Sequence, residues 1–264
     1  IDSSIIAGIL KKDFNENISS FSLIDEGKYN EENLIDNTQK FLGIKTHKIK
    51  IQYKNFLKNL RSVINYHNEP IPTITYFAQN FLTKEVNKNN FKVIMSGTGA
   101  DELFTGYYDH FLQFFSTIKN KQEREKSIEE WKKFILPILT NKNLKRPLIY
   151  VKNRNSRANV YDNFEENLKY TKFKMPFSFE EKNFSNNLLR NRMLNELFHE
   201  ITPITLRHED LNCMQYSIEN RSPFLDSDLF SFANAVPIKY MIQDGFQKFI
   251  LRRTFNNILH QNVV

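Results

Sequence analysis

The stretch Val93 to His110, VIMSGTGADELFTGYYDH, constrains this chain more than any other. Phe91, Val93, Ile94 and Met95 are apolar or β-branched and predict a strand buried inside a sheet. The strand breaks into Ser96-Gly97-Thr98-Gly99. Two glycines two apart let a backbone turn tightly and lie against a ligand with no side chain between. Ala100-Asp101-Glu102-Leu103 reads as the first turn of a helix. Strand, glycine turn and helix start together make a cradle for phosphate or nucleotide, because free N–H groups and the helix dipole face one point. Asp101 would repel a bare phosphate, so an acid there makes sense with Mg2+ between carboxylate and phosphate oxygens. The plainer reading is a strand-to-helix loop whose Asp caps the helix, and short glycine patterns do not separate the two.

The rest of the chain supports an α/β reading. Ile5, Ile6, Ile9 and Leu10 repeat at helical spacing, which puts Asp2, Ser3 and Ser4 at a helix N-terminus. Strands are expected at Asn17 to Ile24 and Thr46 to Ile51. Helices are expected at Tyr29 to Phe41, closed by Gly43, at Phe56 to Tyr66 and at Thr73 to Val86. Strands alternating with helices predict a mainly parallel sheet with helices on both faces, and ligands outside its carboxyl ends. Asp101 to Phe115 reads as one helix whose aromatics pack rather than stack on bases. Beyond Lys119 the pattern is helical, at Gln122 to Leu139, Phe179 to Ile201, Leu206 to Ile218, Ser227 to Val236 and Phe249 to Leu259, with Asp226 as an N-cap. A division near residue 116 follows, giving 1–115 and 116–264.

Composition excludes several classes. The chain has 264 residues, is 40% hydrophobic and holds no apolar run long enough to cross a bilayer, so a membrane is not an expected partner. One cysteine, Cys213, permits neither an internal disulfide nor a cysteine-based zinc site and agrees with a cytoplasmic setting. The net charge of +7 is spread over helices; Arg146, Arg154 and Arg157 lie in a basic, irregular stretch best read as solvated surface, and nucleic acid is not an expected partner.

SGTGADELFTGYYDH resembles the SGEGADELFGGY segment of the synthetase domain of glutamine-dependent asparagine synthetases. Ile1-Asp2-Ser3-Ser4 is similar to the end of that family's pyrophosphate loop, SGGxDSS. Arg207 to Asp226, RHEDLNCMQYSIENRSPFLD, and Gly245 to Arg252, GFQKFILR, are similar to its DRxSMxxSxExRxPFLD and GxxKxxLR. The three blocks stand in the family's order and bracket most of the chain. The resemblance implies an adenine-nucleotide alpha-hydrolase-like (PP-loop) sheet with flanking helices and a helical C-terminal part. The family's strand and SGG before Asp2 are absent, so the sequence is expected to be a fragment whose sheet lacks one interior strand, inactive by itself.

The resemblance also assigns roles. Ser3, Ser4, Gly99 and the adjoining amides would hold the phosphates of ATP, and Ser96, Gly97 and Leu23 the AMP part. Asp2 and Asp101 would hold Mg2+ with pyrophosphate. Lys248 would stabilise charge developing on phosphate oxygens as a carboxylate attacks the α-phosphate. Glu219 and Arg221 belong to the turn beside the acceptor, or simply pair with each other. His67 is read as structural rather than as a base.

One departure stands out. Asparagine-forming members carry Glu where this chain has Thr98, which cannot act as a carboxylate. The expected reaction is adenylation of a small-molecule carboxylate, then amide formation with ammonia, on an acceptor other than aspartate, such as a sugar acid. The ammonia would come from a glutaminase domain absent from this sequence; Cys213 is no substitute for its nucleophile. A homodimer is left open. The rival readings are a related adenylating enzyme, β-lactam-forming or thiolating, and a catalytically inactive nucleotide-binding module.

Overall fold

In the computed structural model, which describes residues 1–24, 27, 30–51, 54–156, 169, 170, 172 and 180–264, strands and helices alternate through the first hundred residues. They are α1 (Asp2–Lys12), β1 (Ser19–Ile24), α2 (Glu32–Leu42), β2 (Lys45–Lys50), α3 (Phe56–His67), α4 (Ile74–Lys88) and β3 (Val93–Met95). β1 and β2 pair in parallel from Ser19↔Lys45 to Ile24↔Lys50. β3 pairs in parallel with β4 (Glu219–Arg221), with Val93 opposite Glu219 and Met95 opposite Arg221. Parallel neighbours need long crossovers, which the intervening helices supply.

These strands do not join into the one parallel sheet expected. Among the described residues, β1–β2 and β3–β4 are separate ladders, and Ile242–Gln243 with Phe246–Gln247 forms a third, antiparallel pair. A slot of about 500 Å³ is lined by Ser19, Ser20 and Phe21 of β1, by Val93, Ile94 and Met95 of β3, and by apolar residues of α1 and α4. β3 is therefore not the buried strand expected: Val93 is 39% and Met95 43% exposed. Among the described residues β3 has a ladder partner on one side only, and its side chains border the slot.

Two units divide the chain. The first comprises Ile1–Ala100, Ile201–Phe230 and Leu251–Val264; the second comprises Asp101–Glu200 and Ser231–Ile250. The boundary expected near residue 116 coincides with none of these junctions, and each unit draws on segments far apart in sequence.

The first unit has an apolar cluster of Val86, Cys213 and Ile218, with Phe21, Leu82, Phe91, Ile94 and Tyr216 packed on it. Burying one such side chain contributes about 1.5–3 kcal/mol. The Cys213 thiol is pushed up to about 12 by burial, with Glu209 and Asp210 adding to the shift. It is thus a packing residue rather than a nucleophile. Beside the cluster lies a buried polar network. Asn212 Oδ1 lies 3.2 Å from His67 Nε2 and accepts from Asn80 at 3.1 Å, while Asn212 Nδ2 donates to the carbonyl of Tyr76. The rings of His67 and His208 stack at 5.6 Å. These bonds link α3 and α4 to the helix Thr202–Met214.

The second unit is mostly helical. The single helix expected over Asp101 to Phe115 is two, Ala100–Phe104 and Tyr108–Thr117, because Thr105 sits at φ +69° and leaves the helical region. Phe104, Phe111, Phe114 and Phe115 are buried, and Phe115 meets Trp131 edge to face at 6.0 Å, which supports the packing reading of these aromatics. In place of the long helix from Phe179, the described residues show Leu188–Asn195 running into a π-helical turn, Glu196–Glu200. Phe179, Tyr29 and Arg157 lie outside the described residues.

The expected caps are present. Gly43 closes α2 at φ +64°, and Asp226 Oδ1 accepts the N–H groups of Asp228 and Leu229. No helix among the described residues is long and apolar enough to cross a membrane.

The polar network makes stability depend on pH. Burial lowers the pKa of both His67 and His208 below the ordinary 6.5. The folded state favours the neutral rings, a contribution fully present above that value and lost as pH falls below it. The urea midpoint of the first unit is expected to drop between pH 7.5 and pH 5. In the variant His67→Asn with His208→Asn, that drop should be smaller.

Candidate active site

The turn after β3 packs against the start of α1. A Cβ on Gly97 would lie 2.6 Å from Cβ of Asp2 and 3.2 Å from the amide nitrogen of Ser3. A Cβ on Gly99, at φ +96°, would lie 2.3 Å from Cδ2 of Leu225. The glycines are needed here because they admit Asp2 and Leu225 at distances that no side chain would allow. The consequence is that Asp2 and Ser3 stand beside Ser96 and Gly97, two stretches nearly a hundred residues apart. Ser3, Ser96 and Gly97 all line the slot. Ile1 is the N-cap of α1, and no side-chain cap hydrogen bond is present there. Arg252, in the helix Phe249–Thr254, binds the carbonyls of Val263 and Val264 and feels the charge of Asp2.

Thr98 is not left without an acid. Its Oγ1 donates to Glu209, with 2.8 and 2.9 Å to the two carboxylate oxygens. Asn220 donates to Glu209 at 3.0 Å and Ser96 at 3.4 Å, while Ser96 and Ser222 hydroxyls are 3.1 Å apart. Glu209 comes from the helix Thr202–Met214 and lines the same slot as Ser96 and Gly97. Sequence reasoning passed over it because a lone Glu on an amphipathic helix carries no spacing signal; the cue was a missing acid at residue 98.

In the second unit, Asp101 and Lys248 form an ion pair through Oδ1 and Nζ. They are far apart in sequence and the structure brings them together. Lys248 is 8% exposed, and its backbone sits at φ +53°. Its N–H donates to Oγ1 of Thr105 at 3.3 Å, and Oγ1 of Thr105 donates to the carbonyl of Met241 at 3.2 Å. A β-branched residue at positive φ costs on the order of 1–3 kcal/mol, a strain that persists where surrounding contacts enforce it. Tyr107 Oη donates to Glu102 at 2.8 Å; burial first, then Glu102, raises its pKa. A buried ammonium held by one carboxylate can place positive charge on an anionic ligand without long-range reorganisation.

Other expected residues stand elsewhere. Leu23 lies on β1 opposite Ile49 and is not among the residues lining the slot. Glu219 and Arg221 bind each other at 2.8 Å and are more than half exposed. That is the simple pairing their spacing allowed, and it lowers the pKa of Glu219. Ser4 is the third residue of α1. Arg154 donates to the carbonyl of Asn186 at an exposed position.

Carboxylate oxygens such as those of Asp2 and Asp101 are the hard donors Mg2+ takes beside phosphate. The residue types therefore fit that ion.

Comparison with known proteins covers the whole chain. The family model for asparagine synthase matches residues 1–264. The asparagine synthetase (glutamine-hydrolyzing) 1 of Bacillus subtilis strain 168 is 23% identical over 283 residues, covering 100% of this chain and 43% of that protein. The chain thus spans less than half the length of this curated relative.

The crowding at Gly97 has a measurable cost. Gly97→Ala forces the first turn of α1 away from the β3 turn. It is expected to destabilise the first unit by about 1–3 kcal/mol in urea unfolding, as overpacking does. An unchanged midpoint would mean that α1 does not dock there.

Proposed function

The chain belongs to the asparagine synthase family, and from that premise we propose that it adenylates a carboxylic acid with ATP and converts the product to an amide. In the first step an oxygen of the substrate carboxylate attacks the α-phosphorus of ATP. The bond to the bridging oxygen breaks, and pyrophosphate leaves. In the second, ammonia attacks the acyl carbon, AMP leaves and a proton is lost. The pairing of buried Lys248 with half-exposed Asp101 carries this reading: a chain with no such reaction has little reason to hold an ammonium at a strained backbone position.

The roles follow from the chemistry. Lys248 offers a fixed positive charge to phosphate oxygens whose negative charge grows in the transition state. Asp101 holds that ammonium in place. Ser3, Ser4, Ser96 and the amides of the Gly97–Gly99 turn supply hydrogen-bond donors for phosphates. Asp2 and Asp101 each offer carboxylate oxygens of the kind that would hold Mg2+, which would supply positive charge against the triphosphate. The relative's name includes glutamine hydrolysis, which supports ammonia from a glutaminase outside this sequence.

The acceptor side is where this chain differs. Thr98 offers a hydroxyl, and Glu209 offers the carboxylate that Thr98 lacks. A hydroxyl beside an anchored carboxylate suits an acceptor rich in hydroxyl groups, such as a sugar acid, better than the ammonium of aspartate paired with a free acid at residue 98. Glu209 can still take a proton from the attacking amine.

Two measurements test this on the intact protein. Pyrophosphate exchange into ATP should depend on a carboxylic acid, with uronic acids more effective than aspartate; efficient asparagine formation would overturn the altered-acceptor reading. Lys248→Met should lower that exchange about 10²–10³-fold while the protein stays folded. Glu209→Gln should leave exchange largely intact and abolish amide release, and equal loss of both would remove Glu209 from the second step.

A further inference from the structure

We infer that the buried Arg192–Glu196–His110 cluster is a positioning device for the Asp101–Lys248 pair. This rests on the reading above only in that the pair is taken to work on ATP. The cluster itself is a matter of geometry within the second unit.

Glu196 is 1% exposed and could not stay charged alone. Nε of Arg192 donates to it at 2.9 Å, and Nε2 of His110 lies 2.7 Å from its other oxygen. Arg192 also binds Glu181 at 3.0 Å and Glu200 at 2.7 Å. The π-helical turn Glu196–Glu200 follows directly after the helix that carries Arg192, so three carboxylates converge on one guanidinium. Burial raises the pKa of Glu196, and the hydrogen bond with His110 and the charge of Arg192 oppose that shift.

His110 passes this order on. Its Nδ1 accepts the N–H of Gly106 at 3.2 Å. The proton of the neutral ring is therefore on Nε2 and donated to Glu196, and both nitrogens are used. Asp109, His110 and Glu196 bring ligand atoms within 4.8 Å of one another, but with both ring nitrogens engaged and Arg192 on Glu196 the group is an ion-pair cluster rather than a cation site.

Gly106 is the contact point. A Cβ there would lie 1.6 Å from Oδ1 of Asp101 and 2.2 Å from its Cγ. The bare backbone of residue 106 thus forms the wall against which the carboxylate rests. One residue earlier, Thr105 accepts the N–H of Lys248. One residue later, the carbonyl of Tyr107 accepts from Gln247 at 2.5 Å. The turn Thr105–Tyr107 therefore touches Asp101 on one side and the chain at Lys248 on the other, and His110 fixes the turn. Glu196 and His110 are positioning residues: they act on the pair only through residue 106.

The test reads the pair directly. Lysines of the intact protein are acylated with an amine-reactive ester and mapped by mass spectrometry, with exposed Lys121 as internal standard. Glu196→Ala and His110→Phe are expected to raise labelling of Lys248 several-fold relative to Lys121. Glu196→Gln keeps an acceptor for His110 and should restore most of the protection. In parallel, kcat of pyrophosphate exchange should fall about 100-fold in the first two variants with KM for ATP little changed, as small misplacements do. Folded variants with unchanged Lys248 labelling overturn the proposal. Should the wild type show no exchange with any carboxylate, the reaction reading fails, and labelling alone judges the positioning role. If Glu196→Ala does not fold, hydrogen exchange in the unaltered protein decides: the Gly106 amide is expected to be protected, and exchange at the rate of an open loop overturns the proposal.

Discussion

Three glycines stand where a methyl group cannot fit, and much of the candidate site depends on that exclusion. At Gly97 the neighbour is Asp2, at Gly99 it is Leu225, and at Gly106 it is the carboxylate of Asp101. Each is a place where the chain passes closer to another group than any side chain allows. The first two approaches bring together residues that chain order keeps apart. In the first unit they set the start of α1 beside the turn after β3. In the second unit, the approach at Gly106 limits where an acid beside a buried ammonium can go. Backbone strain accompanies them: Thr105 and Lys248 both hold positive φ and hydrogen-bond to one another. Such strain survives only where the surroundings overdetermine the conformation.

Much of this was legible in the residues. The order of strands and helices through β3 followed from hydrophobic spacing, and the caps at Gly43 and Asp226 from residue type. Asp101 and Lys248 were named from their motifs, and the structure pairs them. What spacing could not give was anything that depends on two distant segments meeting. Glu209 was overlooked because its role comes from Thr98, Asn220 and Ser96 converging on it, not from its own neighbours. The break at Thr105 was missed because nothing in ELFTGYY forbids a continuous helix; the pull of Met241 and Lys248 on Thr105 does. The sheet was legible in part, since its parallel pairing was expected and is present. Alternating elements predict parallel pairing, but they do not say that neighbouring ladders join.

Burial of charge separates the two units' chemistry. In the first, the titratable groups that tune stability are imidazoles kept neutral by burial, beside an amide network of Asn80, Asn212 and Gln215. In the second, full charges are buried and answered by opposite charges around Arg192. A satisfied neutral hydrogen bond contributes only modestly, and the larger effect is the penalty when one buried partner is lost. Buried ion clusters are expensive unless every member is satisfied, and removing one leaves the others uncompensated. Conformational precision is the best-supported return on that expense, which agrees with finding such a cluster next to a turn whose placement matters.

The slot between β1 and β3 has a further consequence. A ladder with one open side is a template: its N–H and C=O groups accept water or any extended backbone that reaches them. Among the described residues two such sides border one apolar seam, with Val93 and Met95 half open along it. A chain in this form carries an invitation to mispair with its own copies. Whatever extended segment fills that seam would convert four loosely related strands into a continuous barrier against aggregation.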